Sequence, residues 1–150
     1  MRVIIQRVNE ASIKVNNELI CSINNGLLIL VGIENDDTDQ DIDWLSSKII
    51  GLRIFKDKDD LLNLSLNEIN GELMIVSQFT LFASTKKGNR PGFTRSAKPE
   101  FAKLIYLKLI RKINSLFSGK VAEGIFGADM KINLINDGPV TIIMDSKNKE

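Results

Sequence analysis

Two short segments carry residue types that could do chemistry. Ser77-Gln78-Phe79-Thr80-Leu81 stands where an apolar, strand-like run from Glu72 to Gln78 gives way to a long basic stretch. Strand ends of this kind are where α/β and α+β domains place functional groups. Ser77, Gln78 and Thr80 offer hydrogen-bonding side chains, and Phe79 is an apolar plate able to stack on a base. A backbone turning there can point amides at an oxyanion or a carbonyl. A strand with Ser, Gln and Thr on a solvent face produces the same pattern without function. The second segment, Asn136-Asp137-Gly138-Pro139-Val140-Thr141, sets a Gly-Pro bond between two runs that read as strands, Met130 to Ile135 and Val140 to Met144. Proline cannot donate to a strand ladder, and X-Pro is the peptide bond for which the cis form is accessible. The segment is therefore either a recognition corner made of main chain or an ordinary Asp-Gly turn closing a hairpin.

The missing residue types narrow the chemistry further. The chain has no histidine and one cysteine, Cys21. Ser-His-Asp and Cys-His nucleophilic machinery, a histidine general base and the usual zinc sites are excluded by that inventory. Neither a metal nor a cofactor is expected. Hydrolysis here must use carboxylates, an unusually activated Thr or Ser, main-chain electrostatics, or a group belonging to the substrate. A single cysteine forms no intrachain disulfide and suits a reducing, cytoplasmic setting, where Cys21 reads as a small buried hydrophobe. No apolar run approaches the roughly 20 residues needed to span a bilayer, so no membrane is expected.

The formal net charge is +1, which gives no global attraction to nucleic acid. Charge is uneven along the chain, however. Lys86, Lys87, Arg90, Arg95, Lys98 and Lys103 fall between Ser84 and Lys103 with Glu100 as the only acid, while Glu34 to Asp43 is acidic throughout. The basic stretch is either a solvated loop or a face for phosphates, with Lys86, Lys87 and Arg90 directly after the first segment.

At 150 residues with 43% apolar content, one compact domain covering 1–150 is expected, its last residues 146–150 a frayed polar tail. Val3 to Val8, Ala11 to Val15 and Glu18 to Ile23 read as an antiparallel opening with an Asn16-Asn17 turn. Leu27 to Ile33 is a continuous apolar run that reads as a central strand buried on both faces. Thr38 caps a helix expected from Asp39 to Ile54, with Ile42, Leu45, Ile49 and Leu52 on one stripe. A second helix is expected from Pro99 to Phe117, carried by Phe101, Ile105, Leu109, Ile113 and Leu116. Asn63 to Gly71 reads as irregular, and Val121 to Phe126 as a strand. The class is α+β, mainly antiparallel sheet with two main helices.

Taken together, the two segments resemble the paired signature of the D-aminoacyl-tRNA deacylases. Met1 to Val8, Gly51-Leu52-Arg53-Ile54-Phe55, Lys87-Gly88-Asn89-Arg90-Pro91 and Phe126-Gly127-Ala128-Asp129-Met130 are also similar to that family's segments, in the same order. The resemblance implies a barrel-like homodimer that hydrolyses the ester of D-aminoacyl-tRNA at the 3′-terminal adenosine, with glycyl-tRNA mischarged on tRNA-Ala as a further substrate. It implies catalysis by Ser77, Gln78, Phe79 and Thr80, largely through backbone amides near Phe79 and Thr80 with help from the ribose 2′-hydroxyl. Thr80 stands either as a nucleophile or as a positioning group, and the lack of a base favours the second. Gly138 and Pro139, joined by a cis bond, would enter the partner subunit's site and reject L side chains, supported by Arg7, Asn136 and Thr141. Lys86, Lys87 and Arg90 would contact tRNA, and no DNA partner is expected. The reading from a different class is a non-catalytic nucleic-acid-binding module using the basic loop 86–98.

Overall fold

A computed structural model describes residues 1–150. The chain opens with strands β1 (Arg2–Val15), β2 (Glu18–Ile23) and β3 (Gly26–Gly32), followed by helix α1 (Asp39–Gly51) and the short strands β4 (Phe55–Lys56) and β5 (Leu62–Leu64). It continues through β6 (Glu72–Ser77), a 3₁₀ turn (Phe79–Phe82), helix α2 (Pro99–Leu116), β7 (Val121–Glu123) and β8 (Lys131–Asp145). One six-stranded sheet runs β2-β1-β3-β6-β7, with β8 paired to the other edge of β1. It is antiparallel around β1 and parallel from β3 through β6 to β7. The β3 to β6 connection is the long crossover that a parallel pair requires, and α1 lies within it.

The apolar run in β3 is central because both of its faces are covered. Leu27, Ile29 and Val31 pack with Val3, Ile5, Leu73 and Ile75 beneath the helices, where Leu45 and Ile49 of α1 and Ile105, Leu109 and Ile113 of α2 present their stripes. Leu28 faces the other way, into a second core with Val8, Ile13, Met74 and Val76 inside the curl of the sheet. No helix is long and apolar enough to cross a membrane.

Helix α1 stops at Gly51, short of the expected Ile54. Leu52 turns extended and its N–H closes the helix on the Lys48 carbonyl at 2.9 Å. Glycine is a poor helix residue, and the freed carbonyl of Ile54 is used by Arg7 instead. Asn63 to Gly71 is less irregular than expected, since β5 pairs with β4. The larger correction concerns the Asp-Gly turn. No hairpin forms there: β8 is one strand of 15 residues that runs beside β1 along its whole length, from Lys131 opposite Lys14 to Asp145 opposite Arg2.

The tail, read as frayed, is docked over its first residues. Ser146 is buried and its hydroxyl accepts from the Met1 amino group at 2.8 Å, while Lys147 Nζ meets Asp41 Oδ2 at 2.9 Å. Burial raises the Asp41 pKa, but hydrogen bonds from Ser146, Lys147 and Thr38 outweigh it and hold the carboxyl well below the usual carboxylate range. A depressed folded pKa means that the stability it confers is present at neutral pH and is lost as pH falls through the ordinary carboxylate range. Asp41→Asn should therefore lower the melting temperature at neutral pH and flatten the acid limb of a melting curve series. An unchanged acid limb would contradict the assignment.

Candidate active site

The first segment is positioned by β6, whose Ser77 lies opposite Val31 in the parallel ladder. Gln78 N–H still bonds the Val31 carbonyl at 2.7 Å, and then the chain folds into the 3₁₀ turn. The turn can pack against the end of β3 because Gly32 has no side chain: a Cβ there would meet Leu81 Cβ at 2.9 Å and Phe82 Cε2 at 3.1 Å. The first hydrogen bond of the turn runs from Leu81 N–H to the Gln78 carbonyl at 3.3 Å. The N–H groups of Phe79 and Thr80 precede it and are left free by the ladder, as at the start of any helix. Two adjacent free amides at a strand end are what an oxyanion or a polarised carbonyl needs.

Side chains around the turn hold it rather than activate it. Thr80 Oγ1 receives a hydrogen bond from Gln78 Nε2 at 2.5 Å, so its only polar partner is an amide, which is not a base. Ser96 Oγ donates to the Phe79 carbonyl at 2.8 Å, and Phe93 stands edge-on to Phe79 with ring centroids 5.0 Å apart. Phe79 itself is 58% exposed, leaving a ring face open for stacking. A cavity of about 660 Å³ opens beside it, with Ser77, Gln78 and Phe79 on one wall and Phe93, Ser96 and Phe126 on others. Phe93 and Ser96 were not expected here; they arrive because the basic loop folds back, joined to the Glu34 segment by an Arg95–Glu34 ion pair of 2.8 Å.

The second segment is a bulge in β8. Gln6 faces Thr141 and Val8 faces Asn136, so two steps along β1 span five along β8, and residues 137–140 loop out. Within the bulge the Gly138-Pro139 bond is cis and Gly138 has φ +114°, a region L residues avoid. Arg7 lies beneath it, 3% exposed, with Nη1 donating to the Ile54 carbonyl at 2.5 Å. Its Nε sits 2.9 Å from Asp137 Oδ2 but off the line of a hydrogen bond, so that contact is Coulombic. At the neck, Asn136 Oδ1 accepts from Val140 N–H at 3.1 Å, Asn136 Nδ2 donates to Gln6 Oε1, and Thr141 Oγ1 donates to the same oxygen at 2.7 Å. Arg7, Asn136 and Thr141 thus gather at the corner, together with Gln6 and Asp137.

Within one chain the two segments stay apart. Met144 shares a cross-strand row with Val3, Val31 and Ser77. Three strand spacings and three residues of rise then separate Ser77 from Thr141, about 18 Å along the sheet. Gly138 and Pro139 are exposed and do not line the cavity. Lys86, Lys87 and Arg90 are exposed at the tip of a hairpin-like loop closed by Ser84 and Gly92, with Gly88 at φ +68° making the turn. No three His, Cys, Asp or Glu side chains cluster as a metal site would require.

Residues 4–145 match the family described as D-Tyr-tRNA(Tyr) deacylase. The chain is 57% identical to a D-aminoacyl-tRNA deacylase of Flavobacterium psychrophilum and 50% identical to one of Bacteroides thetaiotaomicron, each over 150 residues and the full length of both chains. Among solved structures it superposes with a TM-score of 0.92 and 34% identity on a protein titled c-Myc DNA Unwinding Element Binding Protein, covering 97% of this chain and 98% of that one. A probable eukaryotic D-amino acid tRNA deacylase shares the fold at TM-score 0.80 and 17% identity, covering 95% of this chain and 97% of its own. The chain belongs to the D-Tyr-tRNA(Tyr) deacylase family and is, with it, a hydrolase of ester bonds.

Proposed function

We propose that the protein frees tRNA from D-amino acids by hydrolysing the aminoacyl ester, at a site assembled from the Ser77 to Thr80 turn of one subunit and the Gly138-Pro139 corner of a second. The observation that carries this reading is separation: the corner is exposed, braced from below, and far along the sheet from the turn that it would have to serve. A second copy related by two-fold symmetry brings each corner to the other chain's turn. The free outer edge of β8, which pairs only with β1, and the 67% exposed Ile143 beside it support such an association.

The chemistry follows from what the wall offers. The ester carbonyl oxygen is held by the Phe79 and Thr80 amides, which stabilise the charge that develops as water adds to the carbonyl carbon. Ser77, Gln78 and Phe79 offer no base, and the one carboxylate that lines the cavity, Asp129, is paired with Lys131, so on this reading the substrate's own ribose 2′-hydroxyl assists the proton transfer, and the 3′-oxygen leaves with the terminal adenosine. Phe79 is placed to stack on that base. The corner presents main-chain carbonyls toward the α-carbon, where an L side chain would collide while a D side chain, or the hydrogen of glycine, is spared. Glycyl-tRNA is accordingly a substrate on this reading.

The direct test is release of D-tyrosine from charged tRNA, with the L-ester as control. Fast D release and negligible L release are expected; equal rates for both would contradict the corner's role. Sedimentation should show a dimer, and a monomer with full activity at high dilution would contradict the shared site. With no histidine and one cysteine to ligate a metal, activity should survive exhaustive chelation. Activity lost on chelation and restored by zinc would overturn this.

Lys86, Lys87 and Arg90 contact tRNA phosphates on the same reading. Neutralising all three should raise KM and reduce its dependence on salt by up to about three units of log-log slope, leaving the D over L preference intact. An unchanged salt dependence would remove these residues from the interface.

A further inference from the structure

The corner is held from both faces of the sheet, and only one hold comes from Arg7. Successive residues of β1 point to opposite faces, so Arg7 reaches under the bulge toward the helices while Gln6 lies on the other side. There a single atom, Gln6 Oε1, accepts from both Asn136 Nδ2 and Thr141 Oγ1, the residues that open and close the bulge. Asn136 then passes the constraint inward, because its Oδ1 takes the Val140 N–H at 3.1 Å, one residue beyond Pro139. Asn136 Nδ2 also donates to Thr141 Oγ1 at 3.2 Å, and Gln6 Oε1 anchors that pair to a strand whose own backbone is fixed on both edges by β3 and β8.

We infer that Gln6 is the positioning residue that sets the orientation of Gly138-Pro139, and through it the discrimination between D and L esters. This rests on the chiral-corner reading above. Gln6 touches neither the cavity nor the Phe79 and Thr80 amides of its own chain, so it acts only through the corner. Loss of its acceptor leaves Asn136 and Thr141 tied only to each other and no longer anchored to β1, the neck shifts, and the collision that rejects an L side chain softens.

The test compares kcat/KM for D- and L-tyrosyl-tRNA in four full-length variants. Gln6→Met keeps the length of the side chain and removes the acceptor; the D to L ratio should fall by about 10-fold or more, through a rise in the L rate, with KM for tRNA unchanged. Gln6→Glu keeps an oxygen that accepts both bonds, so its ratio should stay within about three-fold of the parent. A purely structural role would not raise L hydrolysis or be rescued by Glu. Thr141→Val, at an exposed position, removes one of the two donors and should lower the ratio in the same direction even if Gln6→Met fails to fold. Gly138→Ala reports on the corner itself. A lowered ratio in Gly138→Ala with unchanged ratios in Gln6→Met or, failing that, Thr141→Val overturns the role of Gln6 alone. Unchanged ratios in every variant overturn the corner reading and this inference with it.

Discussion

Gly138→Ala should lower kcat/KM for a D-aminoacyl ester by about 100-fold while leaving the fold intact. A Cβ at that position would stand 2.6 Å from Arg7 Nη2 and 3.1 Å from Val140 Cγ2. The backbone, at φ +114°, lies where a side chain is strained even in open space. Arg7 cannot retreat, because Ile54 and Asp137 hold its guanidinium in a buried slot. The corner must move instead, and a displacement of about 1 Å in a positioning element is enough to cost on the order of 100-fold. Because the corner is exposed, the damage should stay local, and the melting temperature should change by only a few degrees. Wild-type turnover by Gly138→Ala, measured by D-tyrosine release, would detach the corner from catalysis.

The second large effect separates main-chain from side-chain catalysis. Phe79→Pro removes one of the two free amides at a place where proline is tolerated, since the preceding Gln78 lies outside the helical region at φ −144° and ψ 85°, and the first position of a helical turn accepts a proline. Loss of one oxyanion donor costs about 100- to 1,000-fold in kcat. Phe79→Ala is the control, because it loses the ring but keeps the N–H. Thr80→Ala should cost only about 10- to 100-fold, the effect of a positioning group. A nucleophilic Thr80 would require nearly complete loss, but its oxygen is bonded to the Gln78 amide and to no base. Replacing the terminal ribose 2′-hydroxyl by hydrogen should cost far more than Thr80→Ala. Full turnover of that deoxy ester, or abolition of activity by Thr80→Ala, would overturn the substrate-assisted mechanism.

What the sequence disclosed depends on whether the deciding interaction was local. The apolar run of Leu27 to Val31 and the stripes of α1 and α2 were legible because burial on a strand or a helix imposes its own period. Ser77 to Thr80 stood out as polar groups at the end of a buried strand, although the 3₁₀ turn that frees their amides depends on packing against Gly32, 45 residues away in the chain for Ser77. Asp137-Gly138 misled as a turn signal, because hairpin chemistry is read from four residues while pairing with β1 is decided over 15. Gln6 was silent for the same reason: a glutamine in a strand gains meaning only once Asn136 and Thr141 are laid beside it. Phe93 and Ser96 reach the cavity through loop folding anchored by Glu34 and Arg95, a contact no local pattern encodes.

A site shared between subunits can be tested by complementation. Phe79→Pro damages only the turn and Gly138→Ala only the corner, so a dimer containing one chain of each has one doubly damaged site and one site with both parts intact. Random pairing at equal concentrations makes half of the dimers mixed, with one of two sites active in each, and the mixture should recover about one quarter of wild-type D-tyrosyl-tRNA deacylation from two nearly inactive parents. If turn and corner of the same chain formed the site, every chain in the mixture would remain defective, and activity would stay at the average of the two parents.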